Sequence, residues 1–224
     1  MADSGFANSC IEGLLDIPTV SLVSDIGNFF SHDLDSLTGG IYIYTGAPVA
    51  GTFGRGWERP ASFEFFDPNS SASVQVNCGM KLHGGHSRLP EKSAKHNFLV
   101  GFKSEYGPPR LDHAFFGEEE GEGDNNKLVI RAGFCNSWNH HGHSQRVIAQ
   151  QMRDIWTKDT QRDMGHHSSN SIYAHLYLNG IYWGLYKPME RMDKDFGAKY
   201  LGGDPEDWDV IKDRDEIANG NDIA

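Results

Sequence analysis

Residues 172–186 read Ile-Tyr-Ala-His-Leu-Tyr-Leu-Asn-Gly-Ile-Tyr-Trp-Gly-Leu-Tyr. Asn179-Gly180 stands between two runs suited to strands, 172–178 and 181–186. A two-residue hairpin turn needs positive φ at both central positions, and Asn-Gly supplies it, which makes this the strongest short hairpin signal in the chain. On the first run Ile172, Ala174, Leu176 and Leu178 share one face, while Tyr173, His175 and Tyr177 share the other. One face is fit for a core, so an antiparallel sheet is the expected frame.

Working outward, Asp193 is placed to cap a short helix that ends near Gly202-Gly203. Residues 208–212 read as a further strand. Upstream, residues 144–160 carry Val147, Ile148, Met152, Ile155 and Trp156 at helical spacing, which predicts one helix with those side chains on its buried face. Ser144 is its expected N-cap, and Lys158 suits the negative C-terminal end. Further strands are expected at 17–24, 41–44, 62–66, 73–76, 80–83, 93–102 and 127–131, with a turn at Asp67-Pro68-Asn69 and a short helical segment at 25–30. Residues 45–60 read as loop. Residues 104–126, which include Glu118, Glu119 and Glu120, read as an exposed loop or insertion. Trp156 and Trp183 are expected in the core. The predicted class is α+β: a mostly antiparallel sheet with one principal helix, preceded by a strand-rich segment.

The 224 residues are 38% hydrophobic and 23% charged, the composition of a globular chain with enough length for a substantial core. No apolar run reaches the roughly 18–20 residues that a membrane helix needs. The first thirty residues have no basic start, and Asp3, Glu12 and Asp16 interrupt their apolar positions, so no secretory leader is expected there. The net charge of −11 disfavours nucleic acid and anionic membrane as partners.

The charge is unevenly spread. Residues 1–80 contain the basic side chains Arg55 and Arg59, whereas 81–103 contain Lys81, Arg88, Lys92, Lys95 and Lys103, with His83, His86 and His96 among them. Such a segment in an acidic chain suits a small anionic ligand. It also suits a strand edge protected by lysines. Cys10, Cys78 and Cys135 have neither disulfide-framework nor zinc spacing and are expected as small buried hydrophobes. His140, His141 and His143 lie at one end of the predicted helix and His166 and His167 at the other, about 25 Å apart, so a joint metal site is not expected. There is no Gly-x-Ser-x-Gly elbow, no convincing cysteine–histidine pair and no Walker motif.

Three segments resemble the CotH kinase family. The first is Gly79-Met80-Lys81-Leu82-His83-Gly84-Gly85-His86-Ser87-Arg88, followed by Glu91-Lys92-Ser93-Ala94-Lys95-His96-Asn97-Phe98. The second is Leu128-Val129-Ile130-Arg131-Ala132-Gly133-Phe134. The third, the most specific, runs from His175 to Tyr186 and on to Glu190 and Asp193. The resemblance implies an atypical kinase fold with residues 1–78 as the strand-rich front of the domain, 79–190 as the N-lobe up to a hinge near Lys187-Pro188-Met189-Glu190, and 191–224 as the start of the large lobe. It further implies ATP, Mg2+ or Mn2+, and phosphoryl transfer to protein serine or threonine. It favours a secreted or cell-surface bacterial protein.

On that analogy the nucleotide-binding candidates are Gly84, Gly85, Arg88, Lys92, Lys95, Arg131, Lys187 and Glu190. Lysines beneath a glycine turn can meet phosphate oxygens, and turn amides add donors. Lys92 and Lys95 are three apart and would face opposite sides of a regular strand, so one of the two is expected to reach the ligand. Arg131 could equally hold a structural ion pair. The family's catalytic and metal-binding aspartates are expected beyond residue 224, so catalysis by these residues alone is not expected. Asp209, Asp213 and Asp215 read as a solvated acidic tail. The other reading is a noncatalytic surface or spore-coat-type module that uses the same fold to bind protein.

Overall fold

A computed structural model describes residues 4–33, 35–42, 57–70, 73–89, 92–116, 123–212 and 216–219. In chain order the elements are α1 (Ser4–Asp16), β1 (Thr19–Val23), α2 (Ile26–Phe30), β2 (Arg59–Phe66), β3 (Ser73–His83), β4 (Asn97–Gly101), β5 (Lys127–Arg131), α3 (His143–Val147), α4 (Arg153–Asp163), β6 (Ala174–Leu178), β7 (Ile181–Glu190), α5 (Lys194–Leu201), β8 (Val210–Lys212) and β9 (Glu216–Asn219). The class is α+β with a large, mostly antiparallel sheet, as expected for a kinase-like N-lobe.

The sheet closes on itself in the order β1-β2-β3-β4-β5-β7-β6. Every neighbouring pair is antiparallel except β1 and β6, whose parallel pairing closes the barrel. Alternation explains the interior. Val20 and Leu22 of β1, Leu128 and Ile130 of β5, and Ala174 and Leu176 of β6 point inward and are fully buried. Lys127, Val129 and Arg131 take the outer face of β5. The predicted strands at 73–76 and 80–83 are one strand, β3, which runs across residues 78 and 79; the strand-rich front and the part that follows share one barrel.

The hairpin turn forms as read, with Asn179 at φ 49° and Gly180 at φ 79°. Asn179 also helps closure: its Oδ1 accepts the Ser24 N–H at 2.9 Å and its N–H donates to the Leu22 carbonyl at 3.0 Å. The Asp193 cap forms too, through Oδ1 and the Asp195 N–H at 3.1 Å, and α5 stops at Gly202, φ 85°.

Several expectations need correction. The 144–160 helix is two helices, α3 and α4, separated by residues 148–152. Carbonyls in the break are taken by side chains: Arg153 Nη2 donates to Ile148 O at 2.9 Å and Lys187 Nζ to Gln151 O at 3.1 Å. Gly142, not Ser144, takes the N-cap position. The apolar stripe faces out, with Val147, Ile148 and Met152 exposed and Trp156 at 66% exposure. It is the ionic edge of α4 that meets the barrel. Ile41 and Tyr42 form a turn instead of a strand, with Ile41 buried; residues 43 and 44 lie outside the described residues. The strand expected at 93–102 is shortened to 97–101, because 92–96 turn to bring the chain back from the glycine segment. Cys78 is buried, but Cys10 and Cys135 are exposed. The Glu118–Glu120 run and Asp213 and Asp215 lie outside the described residues.

Candidate functional site

The glycine segment forms a tight turn at the end of β3. Gly84 has φ 111°, and a Cβ there would come within 2.1 Å of Ser87 Oγ, so only glycine fits. Gly85 follows, and its carbonyl accepts the Arg88 N–H at 3.1 Å. Arg88 is buried, and burial pulls its pKa down. The turn is held by Asn97, whose Nδ2 donates to Ser87 Oγ at 3.3 Å and whose Oδ1 accepts the Ala132 N–H at 2.7 Å. One buried amide thus ties the turn, β4 and the exit of β5 together.

Lys92 and Lys95 lie in the turn before β4, not on a strand. Lys95 reaches across to β7, where Nζ donates to Leu185 O at 2.9 Å and sits 4.2 Å from the centre of the Tyr186 ring. Burial lowers its pKa to about 8.

The outer barrel face carries a second arrangement. Lys81, Leu99, Val129 and Met189 stand in one row across β3, β4, β5 and β7, and the last three form a small apolar cluster of their own. In the next position along the strands, Arg131 is directly paired with Lys187. Both turn to Asp154 of α4: Arg131 Nη1 lies 3.0 Å from Oδ2, and Lys187 Nζ 3.6 Å from it. Lys158, one turn further along α4, lies 3.6 Å from Asp154 Oδ1. Burial opposes the Asp154 charge, but Arg131, Lys158 and Lys187 outweigh it and lower its pKa. Burial lowers the pKa of Lys187 and takes Lys158 to about 8.

Lys187-Pro188-Met189-Glu190 is not a linker. These residues are the end of β7, paired with β5 from Arg131 to Leu128. Glu190 is buried, and its carboxylate is committed within the protein. Oε1 accepts from Tyr200 OH at 2.7 Å and Lys199 Nζ at 3.0 Å, and Oε2 accepts the Asn170 N–H at 3.0 Å. Beside it is a cavity of about 310 Å³ lined by charged side chains, among them Lys127 and Asp193, which pair at 3.0 Å.

The structure therefore joins Arg131 to Lys187 and gathers Gly84, Gly85, Arg88, Lys92 and Lys95 near the same end of the barrel strands. Glu190 stands apart, three strand positions or about 10 Å along β7 from Lys187. Asn97, Asp154 and Lys158 are not among the sequence's site candidates; Asn97 stands inside the first family-like segment, and Lys158, expected at the end of its helix, lies within α4, which runs to Asp163. The one signal for Asp154 and Lys158 is their i,i+4 spacing. Among the described residues no three His, Cys, Asp or Glu side chains group to hold a metal ion, and no helix is long and apolar enough to cross a membrane.

A protein-family model described as CotH kinase protein matches residues 80–220, well over half of the chain. No curated protein matches it.

Proposed function

Because the chain belongs to the CotH kinase family, we propose that it supplies the nucleotide-holding lobe of a CotH-like atypical protein kinase, which takes ATP with Mg2+ or Mn2+ and in the intact protein passes the terminal phosphoryl group to a protein serine or threonine. The observation that carries this reading is the pairing of Arg131 with Lys187, side by side on the outer face at the barrel end where the Gly84-Gly85 turn sits. Phosphoryl transfer asks a protein mainly for positioning and charge neutralisation. Two cations on neighbouring rigid strands offer both.

The roles follow from placement. The glycine turn lets the backbone double back close to the cations. Arg131, with a planar fork of donors, suits a phosphate oxygen pair, and Lys187 adds a compact charge beside it. Lys95 is engaged with Leu185 O and Tyr186, which makes it a brace for the turn before β4. The metal ion would supply further neutralisation of phosphate charge, and no described carboxylate group is assigned to it.

Titration calorimetry with ATP and Mg2+ or Mn2+ tests the reading. Saturable binding at one site, lost in Arg131→Met, is expected. An absence of binding in the intact protein would overturn it. That outcome would leave the noncatalytic protein-binding module, which the outward apolar stripe of Val147, Ile148, Met152 and Trp156 favours.

A further inference from the structure

The charges around Asp154 do not balance. Arg131, Lys158 and Lys187 converge on this carboxylate. Only Arg131 comes within hydrogen-bond range of it, at 3.0 and 3.2 Å. Both ammonium groups stand off at 3.6 Å. Lys187, 2% exposed, has the Gln151 carbonyl as its nearer partner at 3.1 Å. Lys158 is served worse. Its side chain is 14% exposed, and its other neighbour is the Met189 thioether at 3.3 Å, a weak acceptor for a group with three donors. The nearby Asp159 does not relieve the surplus, because Arg162 already holds it at 2.6 Å.

A half-buried surplus of positive charge is costly unless an anion accompanies it. Arg131, with a side chain 35% exposed, is the member of the group most open to solvent, and Lys158, at 14%, shares the Asp154 carboxylate with it beside the Leu99–Val129–Met189 row. We propose that Arg131, Lys158 and Lys187 form an anion site for a phosphoryl group, and that Asp154 is its resident counter-ion, which the phosphoryl group displaces. Lys158 is the added ligand and Asp154 the gatekeeper. This inference rests on the nucleotide reading above and deepens it. The Asp154 carboxylate keeps the cations ordered when no ligand is bound, and it competes with the ligand for the same donors.

The test uses the full chain and two probes, inorganic pyrophosphate and ATP, each titrated into the wild type, Lys158→Met, Lys158→Arg and Asp154→Asn, with circular dichroism to establish folding. Pyrophosphate is expected to saturate one site. Lys158→Met should weaken it about tenfold, the effect of losing a hydrogen bond to a charged group, while Lys158→Arg retains it. Asp154→Asn should tighten binding several-fold, because it removes the competitor; a residue with a purely structural role would not give that sign. ATP binding more tightly than pyrophosphate assigns the phosphoryl group to a nucleotide, and equal affinities assign it to phosphate alone; both support the site. Wild-type protein that binds neither probe, or binding unchanged in Lys158→Met, overturns the inference. ATP binding that is lost in Arg131→Met yet indifferent to Lys158 and Asp154 leaves the nucleotide reading standing and removes this one.

Discussion

The side-chain carbonyl of Asn97 accepts the backbone N–H of Ala132 at 2.7 Å, which fixes the start of β4 to the exit of β5 inside the protein. The same amide donates to Ser87 Oγ, so the glycine turn is held through a residue ten positions away. Both bonds are buried, where an orphaned donor costs more than an ordinary hydrogen bond contributes.

Asn97→Ala leaves the Ala132 N–H without its acceptor and frees Ser87. A loss of about 2 kcal/mol in unfolding free energy is expected from urea denaturation. Limited proteolysis should then cut between Gly84 and Lys95 before any other described segment. Unchanged stability would show that the turn is held by other contacts.

The two adjacent glycines of the turn should respond differently. Gly84 combines φ 111° with a 2.1 Å approach of Ser87 Oγ to any added Cβ. Gly84→Ala is expected to cost about 1–3 kcal/mol through strain and displacement of Ser87. A Cβ on Gly85 would meet nothing within 4 Å, and its φ is not positive. Gly85→Ala should stay within about 0.5 kcal/mol of wild type. Equal losses at both positions would argue against the turn geometry described.

The readable parts of this protein were those encoded over short spans. Asn179-Gly180 announces its hairpin because the turn conformation itself demands those residues, and strand content follows from alternation. Barrel closure has no such signature. It depends on parallel pairing of β1 with β6, elements more than 150 residues apart. The helix reading failed for a physical reason as well: the apolar stripe of 144–160 is real, but it faces outward, while Asp154 and Lys158 supply the contacts to the barrel. The candidate site shows the same limit. Arg131 and Lys187 could be nominated singly, but only the β5–β7 register brings them together, and nothing local shows that a helical i,i+4 pair will complete the group.

Glu190 is expected to matter for stability and not for nucleotide binding. Its carboxylate joins the end of β7 to Tyr200 and Lys199 of α5 and to the Asn170 backbone. Glu190→Ala removes the acceptor of the buried Asn170 N–H and of the Tyr200 hydroxyl and should cost about 2–3 kcal/mol, read from the denaturation midpoint. Glu190→Gln keeps the shape and an acceptor and should cost less. A variant that keeps full stability but loses ATP affinity would return Glu190 to the nucleotide site.

Two lysines should leave a mark on the pH dependence of folding. Burial takes both Lys95 and Lys158 from the ordinary lysine value of 10.5 to about 8. Below pH 8 folded and unfolded chains both hold these protons, and the cost of burying the charge is constant. Between pH 8 and 10 the folded chain releases protons that the unfolded chain still binds, so stability rises with pH in that window. The buried Cys78 thiol, pushed up from 9.0 to about 12, opposes the rise from about pH 9. Above about 10 half-buried tyrosines oppose it too, since Tyr106 is pushed up to about 12 and Tyr42 is raised. With two lysines against one thiol, the rise prevails up to about pH 9.5. The urea midpoint should therefore be higher at pH 9.5 than at pH 7.5, and Lys158→Met should flatten the difference. A midpoint that falls steadily over this range would contradict the burial described. Bound pyrophosphate sharpens the same test. An anion at Lys158 favours its protonated form, while pyrophosphate itself gains charge as pH rises from 7.5 to 9.5, so its stabilising effect should fall more with pH in the wild type than in Lys158→Met. An equal pH dependence in the two proteins would place the anion away from Lys158.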